Sequence, residues 1–515
     1  MSNDSPTTLT STSPSPSDTP DASVRLVIGS VAVLMLLAAL DQTIVSTALP
    51  TIVADLGGLD HLSWVVTAYI LASTMVAPLY GKLGDTFGRR NVVFFSVGLF
   101  LLGSVLCGMA TSMLFLILAR AVQGLGGGGL FVLALSIIGD VIAPKDRGKI
   151  QGVFAGVFGL SSVAGPLLGG WFVDAFSWHW IFYINLPFGL LALAGFAYGF
   201  QPTGKRVRAK IDVLGAVTLS LTLACVVLLT SLAGTQFAWS DPQAIGLIAL
   251  CGASLVAFLF IETRAADPIL PLSLFKMNTF WVTSIISFVT GAMMFGALTF
   301  IPIYLQLAKG ATATASGLQL IPMTFGILGA STIAGRYMTA TGKYRRLPII
   351  GLSVASLGLL ALTRLSADMP SVQLWAALIA VGAGMGSIFP VVTTAVQNAA
   401  PRHLLGTATA AGLMFRQVGG SVAVSAFGAL FAARMAAQMN GMEVEGLSSI
   451  AELGPKSLAA LPADAQTLVA QSVSSALRPV YAIAASLAVV GLLFAFLLDE
   501  IPLESRHTPR KPDPA

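Results

Sequence analysis

Charge is what this chain has least of. Of its 515 residues only 10% are Asp, Glu, Lys or Arg, against about 25% in soluble domains. Another 55% are hydrophobic and the mean hydropathy is +0.84, so a string of soluble domains is excluded and an integral membrane protein is left. Cysteine is scarce too. Cys107, Cys225 and Cys251 all fall inside apolar runs with no loop pair to bridge, which argues against a disulfide framework or a metal site. The four histidines, His61, His179, His403 and His507, share no ligand spacing. No Walker-type phosphate loop is visible, nor any cluster of nucleophile and base, so neither ATP drive nor catalysis is supported and no cofactor is expected. The formal charge of +5 is spread over short loops rather than gathered on one element, which gives no reason to expect nucleic acid. The Ser, Thr and Pro-rich start has no basic stretch ahead of an apolar core, and reads as a disordered tail rather than a cleaved signal.

What is present is a succession of apolar runs of roughly 18 to 25 residues, the length that a bilayer core of about 30 Å requires. They lie near residues 26–50, 62–80, 92–110, 113–141, 148–173 and 180–200, then 213–233 and 245–261, then 280–305, 318–338, 347–365, 374–396, 406–433 and 480–498. The expected protein is therefore all-α and polytopic. Its six-helix first half occupies 25–200, two inserted helices occupy 201–278, and a six-helix second half occupies 279–499 with an outer loop over 439–475. Residues 1–24 and 500–515 are expected to be cytoplasmic tails.

Short cytoplasmic loops are enriched in Lys and Arg. Here Lys82, Arg89 and Arg90 follow span 2, Lys145, Arg147 and Lys149 follow span 4, Lys205, Arg206, Arg208 and Lys210 follow span 6, and Lys343, Arg345 and Arg346 follow span 10, while the opposite loops hold little beyond Lys309 and Lys456. Even-numbered spans thus end inside and both termini are cytoplasmic. Trp64, Trp178, Trp180 and Trp239 fall at outer span ends, as an aromatic belt requires. An internal repeat supports two halves: Gly81, Lys82, Gly88 and Arg89 recur as Gly335, Arg336, Gly342 and Lys343, and Ala143, Pro144 and Gly148 are echoed by Ala400, Pro401 and Gly406. In transporters built from repeated halves the substrate site sits near the midplane between them.

These residues also carry a family likeness. GKLGDTFGRR, Gly81 to Arg90, resembles the loop 2–3 signature of the major facilitator superfamily. Four more segments narrow the likeness to its fourteen-span drug:proton antiporters: LDQTIVSTALP in span 1, LILARAVQGLGGG in span 4, GLSSVAGPLLGG in span 5 and WHWIFYINLPFG entering span 6. The resemblance runs from about Leu26 to Leu498. It implies the major facilitator fold and proton-coupled efflux of small amphipathic drugs or toxic compounds across the plasma (inner) membrane by a monomer, with a role in coupling for Asp41 and Arg120. A dedicated exporter of one metabolite, antibiotic or lipid is the first alternative, ahead of a proton-coupled importer and of a membrane-embedded enzyme or sensor.

The physics of each motif stands beside that likeness. An ionisable residue inside a span is costly and marks a functional candidate. At about 1.5 Å per residue, Asp41 lies roughly 13 Å and Arg120 roughly 11 Å below the outer ends of their spans, so they share a layer and can pair directly or through Gln123. Burial raises the proton affinity of an Asp and a nearby Arg lowers it, so protonation can depend on conformation; a permanent structural pair is the alternative. Arg416 is the third such charge, roughly 15 Å from the inner end of span 13. It either meets the central cavity, holding an anionic group or taking Asp41 as partner, or bonds backbone carbonyls near Gly419 and Gly420. In the loop 2–3 signature Gly81, Gly84 and Gly88 permit tight turns and close approach, and Asp85 can accept from a helix N-terminus or from Arg89; with Arg90, these residues form the expected cytoplasmic gate. Thr339 stands where Asp85 would recur, so the second copy differs. Gly159, Gly165, Pro166, Gly169 and Gly170 give span 5 a kink and a smooth face for a neighbouring helix.

Overall fold

The computed structural model describes residues 22–57, 61–200, 212–234, 236–439 and 462–503, and a few side chains within helices, that of Pro166 among them, lie outside the described set. Of the expected tails over 1–24 and 500–515, residues 22–24 prove to be helical and 500–503 are described, while the rest falls there too, with the basic loop of Lys205, Arg206, Arg208 and Lys210 and most of the outer loop over 439–475.

Apolar sequence in a hydrocarbon layer must satisfy its backbone internally, and helices do so. The first bundle contains α1 (Ala22–Leu56), α2 (Leu62–Phe87), α3 (Arg89–Gly108), α4 (Met113–Val141), α5 (Pro144–Ala175), the single turn α6 (Trp180–Tyr183) and α7 (Asn185–Gly199). Next come α8 (Val213–Leu232) and α9 (Pro242–Glu262). The second bundle contains α10 (Asn278–Leu307), the short α11 (Ala313–Leu318), α12 (Ile321–Thr341), α13 (Arg346–Leu362), α14 (Ser371–Ala399), α15 (Leu405–Met439) and α16 (Ala463–Ala495). Local chemistry sets the ends: the Ser112 hydroxyl accepts from the Phe115 N–H at the start of α4, Asp212 caps α8 at the Gly215 N–H, and Gly88, at φ +87°, makes the turn between α2 and α3.

Among the described residues, twelve helices are long and apolar enough to cross a membrane. The two expected spans outside these twelve are α5, which includes side chains outside the described set, and α13, which has only 17 residues. The last span, expected over 480–498, proves to be the latter part of a helix that starts at Ala463.

The apolar core divides with the bundles. The buried residues of one cluster run from Val282 to Leu503 and those of two others from Val27 to Phe200, with Leu413 of α15 packed against one of the latter. A fourth joins Leu219 and Phe258 of α8 and α9 to Phe280, Val396 and Ala411 of the second bundle. Helix α8 also touches α2, where the Ser220 hydroxyl donates to the Met75 carbonyl at 3.2 Å, so it lies in the seam, while α9 exposes Ile245, Ile248, Val256 and Phe260. The loops after α2, α4 and α12 share one end of the molecule, the basic end. One expected belt residue is misplaced: Trp178 is buried, donating to Asp55 Oδ2 at 2.8 Å, whereas Trp180 and Trp239 are exposed.

Helix α15 lies against α10 at backbone contact. A Cβ at Gly291 would stand 1.9 Å from the Arg416 carbonyl oxygen, and one at Gly419 2.1 Å from that of Phe288. Gly291→Ala should accordingly destabilise by about 1–3 kcal/mol through overpacking, read as a fall in the melting temperature of the purified protein. Gly246→Ala on α9, where a Cβ meets open space, should be neutral or stabilising by up to about 1 kcal/mol.

Candidate functional site

The glycine run of α4 brings charge together inside the first bundle. A Cβ at Gly124 would lie 2.5 Å from the Tyr69 carbonyl oxygen and one at Gly126 2.2 Å from the Phe100 nitrogen, so α4 packs on α2 and α3 backbone to backbone. That proximity lets side chains of α4 reach α1. Arg120 Nη1 donates to Asp41 Oδ2 at 2.7 Å and to Gln123 Oε1 at 2.7 Å, and Gln123 Nε2 donates to Asp41 Oδ1 at 2.7 Å. Both routes expected from depth, the direct pair and the path through Gln123, are therefore present. Two residues not singled out from sequence complete the network. Asn185 Nδ2 donates to Asp41 Oδ1 at 3.1 Å and to Ser104 Oγ at 3.2 Å, and Ser104 Oγ also accepts from Gln123 Nε2 at 2.8 Å. Arg120 further donates from Nε to the Val65 carbonyl at 3.3 Å and lies 4.3 Å from the Tyr69 ring centre. Asp41 is 0% and Arg120 1% exposed. A carboxylate so enclosed is held by its partners alone, and removing one partner of such a pair costs about 3–5 kcal/mol.

Helix α5 bridges the bundles. Near its start Gly148 and, further along, Gly159 lie on α12, where a Cβ would meet Met338 Cε at 2.3 Å and Thr324 Cγ2 at 2.6 Å. Further on, Gly165 and Gly169 lie on α1, where a Cβ would meet Thr43 Oγ1 at 2.0 Å and Thr47 Oγ1 at 2.1 Å. The Thr43 hydroxyl donates to the Ser161 carbonyl at 3.1 Å. Gly170 takes no part in this close packing, since a Cβ there meets nothing within 4 Å. Helix continues through Pro166.

At the basic end Asp85 does both things its position suggested. Its Oδ1 accepts from the Gly406 N–H at 3.0 Å, and its Oδ2 from the Thr407 N–H at 2.7 Å and the Thr407 hydroxyl at 3.0 Å, so a carboxylate of the first bundle caps α15 of the second. Arg89 steadies it, donating from Nη2 to Asp85 Oδ1 at 2.5 Å and from Nε to Asp140 Oδ2 at 2.9 Å. Small residues are required here: a Cβ at Gly81 would meet the Gly406 carbonyl oxygen at 2.6 Å, and one at Gly84 would meet Arg89 Nη1 at 2.6 Å. Arg90 stands apart from this latch and donates to the Ala197 carbonyl of α7 at 3.3 Å. In the second copy Gly335 faces the Gly148 carbonyl, and the Thr339 hydroxyl donates to the Lys145 carbonyl at 3.1 Å. This second contact is neutral where the first is charged. Lys82 pairs with Asp267, tying the signature to the segment after α9.

Arg416 is not brought to Asp41. It lines a cavity walled by α10, α14 and α15, with Ser287, Thr290, Phe389, Thr393 and Thr409 among its lining. The carbonyl-bonding alternative is not observed either, because Gly419 and Gly420 serve to pack α15 on Phe288 and Phe295 of α10.

Two helix bundles, a charged network inside one and a cavity beside the other define a multi-pass membrane protein of the transporter kind. Residues 31–424 match the Major Facilitator Superfamily, and the chain belongs to that family, whose members are transporters of small-molecule substrates and not enzymes. It is 39% identical over 474 residues to an uncharacterised MFS-type transporter of Mycobacterium tuberculosis (strain H37Rv), covering 92% of this chain and 69% of that one. It is 38% identical over 446 residues to the multidrug transporter protein MdtP of Bacillus subtilis (strain 168), covering 87% and 80%. The proton:xylose symporter XylE, at 14% identity, shares the fold with a TM-score of 0.61 over 93% of this chain and 96% of that one.

A charged cap of this kind contributes about 0.5–2 kcal/mol. Asp85→Ala should therefore shift the two bundles apart at the basic end, seen as longer distances between spin labels placed at Lys149 and Lys343. An unchanged distance distribution would remove Asp85 from the closure.

Proposed function

We propose that this transporter is a proton-driven exporter of small amphipathic drugs or toxic compounds, working by alternating access between two six-helix halves, with fourteen spans when α5 and α13 are counted and with the basic end in the cytoplasm. The orientation follows from the Lys and Arg of that end. The multidrug transporter named above supports the substrate class, and the similarity to the MFS-type efflux pump MMF1 of Pseudozyma antarctica at 32% identity supports the direction of transport.

The observation that carries the coupling is how Arg120 is held. Protonating Asp41 normally strands a buried cation, but Arg120 keeps the Gln123 carbonyl oxygen, the Val65 carbonyl and the Tyr69 ring as partners. Asp41 is thus neutralised without leaving Arg120 bare, which separates a proton carrier from a permanent ion pair. Thr43, two residues beyond Asp41, is the docking point for α5, and α5 also lies on α12. A shift of α1 on proton uptake is therefore passed to the second bundle. With Asp41 ionised and Asp85 on the end of α15, the basic end is shut; opening it breaks the latch and admits substrate, and proton entry at Asp41 from the outside accompanies release there.

Binding of substrate to purified protein in weakly buffered detergent solution should release protons from wild type and none from Asp41→Asn, across a panel of cationic, neutral and anionic compounds. No release from wild type by any compound it demonstrably binds would overturn the shared coupling.

A further inference from the structure

We infer that Arg416 recognises an anionic group, and that the cavity it lines takes amphipathic compounds bearing a carboxylate, sulfonate or phosphate on an apolar body. This rests on the reading of the chain as an exporter and names the substrate class of its cavity.

Among the described residues, the buried arginines find acceptors in the protein itself. Arg120 has Asp41, Arg89 has Asp85 and Asp140, and Arg147 donates to the Gly139 and Ile142 carbonyls. Arg416 differs: among the described residues no carboxylate pairs with it and no acceptor takes its N–H groups, and the residues lining its cavity include no acid. Its place on α15, roughly 16 Å from the Leu405 end at 1.5 Å per residue, puts it well inside the apolar layer. Backbone packing fixes its position, since the Arg416 carbonyl oxygen is the atom that Gly291 admits. Its neighbour Gln417 donates to Thr74 Oγ1 of α2 at 2.8 Å, so this stretch of α15 is anchored on both sides.

The side chain is arranged for a ligand. Phe389 lies 5.1 Å from the guanidinium carbon and occupies one face, while a guanidinium offers carboxylate or phosphate oxygens a pair of parallel N–H groups. Ser287 opens on the same cavity with its hydroxyl unpartnered among the described residues, a second donor. Ile388, Val392 and Leu413 provide apolar wall for the body of the compound. A cationic compound finds no counter-ion there and meets a fixed positive charge.

The test uses one fluorophore in three charge states, dansylglycine (anionic), dansylamide (neutral) and dansylcadaverine (cationic), titrated into wild-type protein in lipid nanodiscs with empty nanodiscs subtracted. Dansylglycine should bind wild type at least about tenfold tighter than dansylamide, a difference of about 1.4 kcal/mol. Arg416→Gln should abolish that preference, and Arg416→Lys should keep part of it. Equal binding of the anionic and neutral probes to wild type, tightest binding of the cation, or no binding of dansylglycine overturns the inference, and the wild-type comparison holds even if Arg416→Gln does not fold. Because no gradient is applied, loss of proton coupling elsewhere leaves this readout untouched; anion binding without any transport in proteoliposomes would instead overturn the exporter reading.

Discussion

A carboxylate within a hydrocarbon layer has no water to stabilise it, and the protein must supply every partner itself. Around Asp41 that requirement organises much of the first bundle. Its two oxygens take one guanidinium and two amide N–H groups, from α4 and α7, and Ser104 of α3 ties the amides together. Such a convergence is feasible only because α4 is nearly bare of side chains where it meets α2 and α3. A methyl at Gly103 would stand 2.4 Å from the Gln123 backbone nitrogen, and the displacement it forces would move the donors away from Asp41. The glycines are thus a condition of the charge network as much as of helix packing.

The same economy of small residues governs how the bundles meet. At the basic end Gly81 faces Gly406 and Gly148 faces Gly335, so backbones touch and polar side chains close the contact. One contact uses a carboxylate on a helix N-terminus and the other a threonine hydroxyl on a carbonyl. They therefore answer differently to changes in charge. Helix α5 crosses between these worlds, with one stretch on α12 and another on α1 beside Asp41. An event at Asp41 and an event at the bundle interface share a rigid element, which is the physical content of coupling on the proposed reading.

Much of this was legible in the sequence, for identifiable reasons. Charges in a chain so poor in charge are conspicuous, so Asp41, Arg120 and Arg416 stood out, and shared depth was enough to pair the first two. Asp85 between glycines pointed to a helix end, which proved to be that of α15. Asn185 and Ser104 were not singled out because a lone neutral polar residue in an apolar run looks like any hydroxyl or amide that bonds its own helix; only the lone Asn in WHWIFYINLPFG gave a faint signal. Asp140 and Thr407 were missed since their role exists only across a tertiary contact. Glycine function misled in one place: Gly170 shares the motif of Gly165 and Gly169 yet points away from α1, because 3.6 residues per turn carry it off the contact face. Trp178 misled for the opposite reason, its position near a span end concealing that its ring is buried with Asp55 as its acceptor.

The two bundles end up electrostatically unlike. In the first, the intramembrane acid and base are sealed together and their charges cancel. In the second, a lone guanidinium opens on a cavity with no acid in its lining. Had proton and substrate been meant for one shared cluster, Asp41 and Arg416 would be expected to face each other across the seam; instead Gln417 and Thr74 meet there, and both are neutral. Direct competition between proton and substrate for a single side chain therefore has no support in this conformation. On the proposed reading, coupling travels through packing, from α1 to α5 and on to α12, and through the charged cap that Asp85 places on α15, the helix that also carries Arg416. On that reading the substrate's charge and the proton's charge are handled in separate places, which leaves the cavity free to vary in what it accepts while the site at Asp41 stays as it is.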